Sequence, residues 1–508
     1  MKNIALVFAV VLSGVCATGA AREPAFAGKF YPADKQELAR FVDSVLAAAG
    51  PSALQSFYPP AAVRAIVVPH AGYPFSGLVA AFAYKMIDTG YDLVVILGTG
   101  HTMRVRGAAL LAKGYYETPL GRVPVDEKFS AGLIKASPLF EDLPEAHAGE
   151  HSIEVQLPFL QRRLKKPFKL AAAVLNTDDP ALLAEIGRIL GGKLKGRKAL
   201  LIVSTDFSHY PSHADAKRAD ETLALAIKTM TPEFFRLTSR LLLGKGIPEL
   251  GTCACGEAAL TAAMTAVNTL GPAQFLELKY ADSYDEYPAQ SSPDRVVGYL
   301  AGAFVPAASA PPAKILLALE QQKELLKAAR AEIKAKLLGT RADRERLSAD
   351  YAFNLPGAVF VTLTEDGALR GCVGTVEPRT TLLDAVRYAA LSAAFEDRRF
   401  KPVEKGELEK LKIEISVLSP LKKITGAGDI TPHKHGVVVV RETGKTAGAS
   451  SAREERRSGL FLPQVWEQIP GKEDFLDELC SQKAGLERNC WRDAGTGMYT
   501  FTVDSFKE

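Results

Sequence analysis

Apolar runs that break into short turns bearing histidine, cysteine or acid side chains constrain this chain most. Ala65-Ile66-Val67-Val68 leads into Pro69-His70-Ala71-Gly72-Tyr73, and Leu93-Val94-Val95-Ile96-Leu97 leads into Gly98-Thr99-Gly100-His101. Cys253-Ala254-Cys255-Gly256 reads as a third strand end, and Ala199-Leu200-Leu201-Ile202-Val203 enters Ser204-Thr205-Asp206-Phe207-Ser208-His209 as a fourth. Uninterrupted apolar runs bounded by Gly or Pro fit strands buried on both faces. Ligands of an open α/β sheet bind beyond the carboxyl ends of such strands. Two imidazoles and a thiol delivered there can converge on one metal ion, whereas Cys255 as a small buried hydrophobe is the plainer alternative.

Of the eight histidines, His70, His101, His151, His209 and His213 fall in or near these segments. Asp206 and His209 lie three apart on a loop after a strand. They can face one pocket with Asp206 orienting His209 as an acid/base group, or Asp206 can cap the next helix. Glu150-His151-x-x-Glu154 fits a helix start with both carboxylates on one face. Glu150, His151, Glu154 and Tyr73 are candidates for contacts to the ligands or to a substrate; a solvated helix face is the alternative for the acids. Tyr284, Asp285 and Glu286 are candidates for the pocket rim.

A chain of 508 residues is too long for one ordinary core. Its net charge of +4 gives no electrostatic case for nucleic acid. Lys2, the apolar run Ile4 to Leu12 and the small residues through Ala21 have the layout of a secretory signal peptide, with cleavage expected near Ala20 or Ala21. Export to the periplasm or the exterior follows from that reading. Lipidation at Cys16 is the lesser alternative, since Val15 is a poor fit before it. Cys253, Cys255, Cys372, Cys480 and Cys490 then remain, an odd and sparse set rather than a disulfide framework. Cys253 and Cys255, two apart on a strand, are expected to project to the same side.

Residues 1–21 are therefore read as the signal peptide, 22–305 as one domain, 306–313 as a Pro/Ala linker and 314–508 as a second domain. Upstream, strands alternate with helical patterns over Lys35–Ala49, Gly77–Thr89 and Glu257–Leu270, which predicts an α/β, mostly parallel sheet covered by helices. Downstream, a helix from Ile315 to Leu338 ends at Gly339. A hairpin then turns at Glu365-Asp366-Gly367. A helix over Thr381–Phe395 follows, then strands over Leu411–Leu418, Val437–Val440 and Met498–Val503. This pattern is α+β. Arg441 to Ser458 is polar and is expected to be a flexible loop. Arg370 and Cys372, interleaved with Gly371 and Gly374, suggest a small-molecule or partner groove, against the alternative of a tightly packed hairpin.

These residues carry two resemblances. The His70, His101, Glu150 to Pro158, Ser204 to His209 and Cys255-Gly256 segments occur in the order seen in the Memo family. So do Ala27-Gly28-x-Phe30-Tyr31-Pro32 and Val297-Gly298-Tyr299-Leu300-Ala301-Gly302. The resemblance spans about residues 24 to 305 and implies a class III extradiol dioxygenase-like fold. It implies metal ligands at His70, His101 and Cys255, with Asp206 and His209 beside them. One divalent metal is then expected, iron first and copper or zinc next. A thiolate in place of the usual carboxylate argues against ring cleavage.

Leu369-Arg370-Gly371-Cys372-Val373-Gly374, Phe395 to Phe400, Leu462-Pro463-Gln464-Val465 and Lys483-Ala484-Gly485-Leu486 resemble the AMMECR domain over about residues 318 to 506. The fusion is similar to two of the three parts of the AmmeMemoRadiSam system, which makes a radical-SAM protein a possible partner. The substrate class expected is a small molecule or a peptide. Two functions stand at this point: a metal-dependent, dioxygenase-like oxidoreductase, or a module that binds peptide or metal without turnover.

Overall fold

The computed structural model describes residues 21–50, 57–308, 317–340, 345–443 and 455–508. The expected signal sequence, apart from Ala21, and most of the linker lie outside those residues. No helix among the described residues is long and apolar enough to cross a membrane.

The N-terminal lobe is built on an eight-stranded sheet. In spatial order the strands are Ala273–Asp282, Gly298–Pro306, Ala65–Val68, Ala199–Ser204, Leu93–Thr99, Lys169–Leu175, Ala108–Leu110 and Phe140–Asp142. The four from Ala65–Val68 to Lys169–Leu175 are mutually parallel, and the first two run antiparallel at one edge. The apolar runs are strands because both of their faces are covered. Ala65, Val67, Val95, Leu97, Leu201 and Val203 enter one core cluster, while Ile66, Val68, Val94, Ile96, Leu200 and Ile202 enter another. Alternate side chains of each strand thus feed opposite layers.

Register decides what meets at the carboxyl edge. Val68 pairs with Ser204 and Leu97 with Val203. His70 and Asp206 each stand two residues beyond a paired position on neighbouring strands, and the strand that leads to His101 lies on the other side of Asp206. On one face, helices Pro180–Leu194 and Glu257–Thr269 pack unusually close. A Cβ on Gly187 would lie 2.4 Å from the Ala262 carbonyl oxygen, and one on Gly191 would lie 2.6 Å from that of Ala266.

The C-terminal lobe has two four-stranded sheets. One orders Ala368–Gly374, Val359–Glu365, Leu411–Leu418 and Val503–Lys507; the other orders Lys422–Ile424, Thr496–Phe501, Gly436–Thr443 and Glu455–Phe461. Helices Leu319–Leu338 and Leu382–Phe395 cover the first sheet. The lobes meet along helices His213–Lys228 and Pro232–Gly244. Arg218 donates to the Leu347 carbonyl, Thr222 Oγ1 to that of Tyr351 and Arg346 to that of Gly246, and Lys245 pairs with Asp384.

Several expected elements differ. The helix expected from Gly77 starts at Tyr73, because Pro74 suits a first turn, and it ends at Met86. The stretch expected as one last strand is two, broken at Thr502 where the chain leaves one sheet for the other. Arg441 to Thr443 and Glu455 to Ser458 are paired strand rather than loop, and the residues between lie outside those described. Cys253 to Cys255 is a bend and turn rather than a strand end. One disulfide, Cys480–Cys490, forms, which agrees with a sparse set rather than a framework, and Cys253, Cys255 and Cys372 are free.

Candidate metal centre

His70, His101 and Cys255 come together at the carboxyl edge, with one potential ligand atom of each lying within 4.8 Å of the others. His70 is 1% exposed. Its backbone N–H donates to Asp206 Oδ1 at 2.7 Å, and its Nε2 lies 3.1 Å from Cys255 Sγ. The Asp206 N–H donates to that sulfur at 3.2 Å, so the Asp206 loop positions both first-strand and thiol donors. Cys255 is delivered by the turn before helix Glu257–Thr269, where the Gly256 N–H is held by Thr205 Oγ1 at 2.9 Å. A Cβ on Gly256 would lie 2.5 Å from Thr205 Cβ, which explains glycine there.

The tautomers follow from the partners. Ser204 Oγ donates its one proton to the Ser152 carbonyl at 2.5 Å and accepts from Gln156 Nε2 at 2.9 Å. The remaining contact, His70 Nδ1 at 3.1 Å, must therefore be the donor. That leaves the His70 Nε2 lone pair facing Cys255. His101 is set the same way. Its Nδ1 lies 2.9 Å from Glu150 Oε1, and its backbone N–H donates to Glu150 Oε2 at 2.7 Å. Each imidazole is thus held through Nδ1 with Nε2 offered inward, the arrangement that orients histidine ligands.

Burial alone would raise the Glu150 carboxyl. Hydrogen bonds from His101 and Ser152 bring it down to about 2 instead, so it is an anion behind His101. Burial and the Asp206 carboxylate push the Cys255 thiol up to about 12. A cation bound beside the sulfur reverses that balance. Burial holds the Asp206 carboxyl above its ordinary value and His70 well below its own.

His151 stacks on His101, with centroids 4.5 Å apart and planes at 21°, and meets His70 edge-on at 5.1 Å. Its other side rests on Phe30 at 4.7 Å. Burial and His101 bring His151 down to about 4. It therefore belongs to the cluster itself, and His101, Glu150 and His151 form a second group with ligand-like spacing.

Of the remaining expected residues, His209 stays within charge range of Asp206 and His70, and the others take structural roles. Asp206 does not orient His209: its Oδ1 is taken by the His70 N–H, while His209 Nδ1 donates to the Phe207 carbonyl at 2.8 Å. Nor does Asp206 cap the following helix, which Ser212 caps. Glu150 and Glu154 do not share a role. Glu154 is fully buried, pairs with Arg22, and accepts from Tyr31 Oη and the Phe26 N–H, so it anchors the N-terminal segment. Tyr73 is a core residue whose Oη donates to the Val155 carbonyl at 2.6 Å. Tyr284, Asp285 and Glu286 form a short helix capped by Asp282, which also holds His213 Nδ1 at 2.6 Å.

Cys253 is fully buried and its thiol donates to the Ser239 carbonyl at 3.6 Å, while Cys255 turns to His70. The same-side expectation fails because the segment is not extended. In the other lobe, Arg370 is committed to Glu407 and the Lys401 carbonyl. The Cys372 N–H donates to Asp397, and Thr362 Oγ1 donates to its sulfur at 3.3 Å. These are contacts of a packed hairpin, and the large cleft of this lobe, about 840 Å³, is lined by other residues.

Ser204 and Gln156, which set the His70 tautomer, were not singled out from sequence. Ser204 sits at the last paired position of its strand, and that position was the available signal.

The fold and the cluster define an α/β protein with a nitrogen- and sulfur-lined site at its sheet edge. The chain belongs to the Memo family: residues 22–303 match the family described as Memo-like protein, and residues 326–506 match AMMECR1 in the same chain. A MEMO1 family protein of Methanopyrus kandleri is 34% identical over 56% of this chain and 98% of its own length. One of Aquifex aeolicus is 34% identical over 56% of this chain and 99% of its own. A crystal structure of an uncharacterized protein from Pyrococcus horikoshii is 33% identical, covering 37% of this chain and 92% of that one, with a TM-score of 0.31.

Proposed function

We propose that this chain is an exported, metal-dependent redox protein whose Memo lobe holds one divalent metal at His70, His101 and Cys255. Iron is the first choice, with copper or zinc next. The observation that carries the reading is the pair of imidazoles held through Nδ1, with His70 Nε2 3.1 Å from the Cys255 sulfur and a ligand atom of His101 within 4.8 Å of both. Three protein donors leave positions for a small molecule, as catalytic sites require. A metal bound there supplies electron exchange and a place for that molecule to bind. Glu150 makes His101 the more basic donor, and Asp206 holds the thiol and His70 in register. His209, fixed through Nδ1 to the Phe207 carbonyl, keeps Nε2 for proton transfer.

Export is supported by the N-terminal pattern and by the Cys480–Cys490 bridge, since disulfides persist in oxidising compartments. A cytosolic radical-SAM partner would then be separated from the mature chain. The second reading is a carrier that binds metal or peptide without turnover. The thiol favours it, because sulfur selects soft ions such as Cu(I) and Zn.

The test is metal analysis of protein purified from its native host, with oxygen uptake measured on candidate small molecules. Stoichiometric iron or copper with turnover supports the enzyme. Stoichiometric metal without turnover supports the carrier. Full metal occupancy in Cys255→Ser would remove the thiol from the site and overturn both.

A further inference from the structure

A large cleft lies in the C-terminal lobe, away from the metal cluster. It opens where two chain segments cross between the lobe's sheets side by side. The Ser419 N–H donates to the Thr502 carbonyl at 2.9 Å, and the Thr502 N–H returns to Ser419 Oγ at 2.9 Å. Its lining includes the His433-Lys434-His435 loop and Lys422; the volume, about 840 Å³, is that of a small-molecule site.

The His433–His435 loop is built rather than loose. The buried Trp466 ring, stacked on Phe475 at 3.6 Å, donates through Nε1 to the His435 carbonyl at 2.7 Å. The Thr431 N–H donates to His435 Nδ1 at 3.1 Å, so Nε2 carries the ring proton and is a donor. His433 holds φ +61°, a left-handed conformation that costs a side chain of this kind about 1 kcal/mol or more. Burial and then the Lys434 and Lys422 ammonium groups lower the basicity of His435, which puts both cations in range of its ring. Neither lysine forms an ion pair among the described residues. Glu467 and Asp504 also border the cleft, so it is balanced in charge overall and a poor track for a polyanion such as nucleic acid.

We propose that this cleft is a binding site for a small organic molecule bearing one oxyanion group, a carboxylate or a phosphate, received by Lys422, Lys434 and the His435 Nε2–H. An oxyanion there gives each lysine a charge-assisted hydrogen bond. The site would give the AMMECR lobe a ligand of its own, independent of the metal.

The chain has two tryptophans, both in this lobe, and Trp466 is bonded to the loop that lines the cleft. The full-length Trp491→Phe protein therefore reports on the cleft by the fluorescence of Trp466. Inorganic phosphate and acetate are titrated separately at constant ionic strength, with chloride as the control. The expected result is a saturable change with phosphate, acetate or both, absent with chloride; which ion binds more tightly identifies the oxyanion. Lys422→Gln with Lys434→Gln should weaken it about tenfold or more. Both lysines are exposed, so folding should survive, and the melting temperature checks that. No saturable response to either ion, or one that the double variant leaves unchanged, overturns the proposal.

Discussion

Ser204→Ala tests the tautomer argument directly. Ser204 Oγ is the side-chain partner of the His70 Nδ1–H among the described residues, in a place where the ring is 1% exposed. Gln156 keeps its second bond, Nε2 to the Pro69 carbonyl at 2.8 Å, when the hydroxyl is removed. The groups left without the hydroxyl are the imidazole N–H and the Ser152 carbonyl. A buried donor without a partner costs about 1–3 kcal/mol of stability. An imidazole released from its outer partner loses about 10- to 100-fold in metal affinity, equivalent to about 1.4–2.7 kcal/mol. The assay is competition for metal against a chromophoric chelator, with melting of the same protein measured without metal. The expected outcome is weaker binding by that factor in protein that is still folded. An affinity within about twofold of the parent would refute the claim that Ser204 sets the His70 donor.

Gly187→Ala should destabilise by about 1–3 kcal/mol, because its Cβ would meet the Ala262 carbonyl at 2.4 Å; Gly192→Ala, with open space around it, should be neutral or gain up to about 1 kcal/mol, both read by urea denaturation. Glu154→Ala should cost about 3–5 kcal/mol by leaving Arg22 buried without its partner, with proteolysis of the segment around Phe26 as the local readout. His147, brought down from 6.5 to about 4 mainly by burial, is neutral in the fold, so its contribution is complete above pH 6.5 and is lost as pH falls toward 4. Across that window the parent should lose about 3 kcal/mol more stability than His147→Asn, and coincident pH profiles would rule the reading out.

The strands were legible because each is apolar throughout, and only a strand covered on both faces can be so. Their carboxyl-end turns then pointed to His70 and His101. What sequence spacing could not supply was the direction of side chains in irregular backbone. Cys253 and Cys255 look like a same-side pair only if the segment is extended, and it bends instead. Glu150 and Glu154 look like one helical face, but Glu150 precedes the helix as its cap and turns back to His101. Arg370 looks like a groove residue until Glu407, thirty-seven positions away, takes its Nε and Nη2 and the Lys401 carbonyl takes Nη1. Each partner of this kind is remote in sequence and has no periodic signature. The N-terminal anchor was hidden for the same reason: Arg22 and Glu154 are 132 residues apart.

One helix explains why the site loops and the second lobe are not separate matters. His213–Lys228 turns Asp220 inward, where it accepts from the Ser208 N–H at 3.0 Å and from Ser208 Oγ at 2.8 Å. Ser208 adjoins His209, so this buried carboxyl steadies the loop that runs from Asp206 to His209. Burial pushes it up to about 8, and a Cβ on Gly298 would lie 1.8 Å from its Oδ2, so only glycine fits at that closure. Arg218 and Thr222 on the same helix hold carbonyls of the C-terminal lobe. The next helix does likewise: Ser239 receives the Cys253 thiol while Lys245, just past its end, pairs with Asp384. Both loops around the metal cluster are thus backed by the two helices on which the second lobe rests.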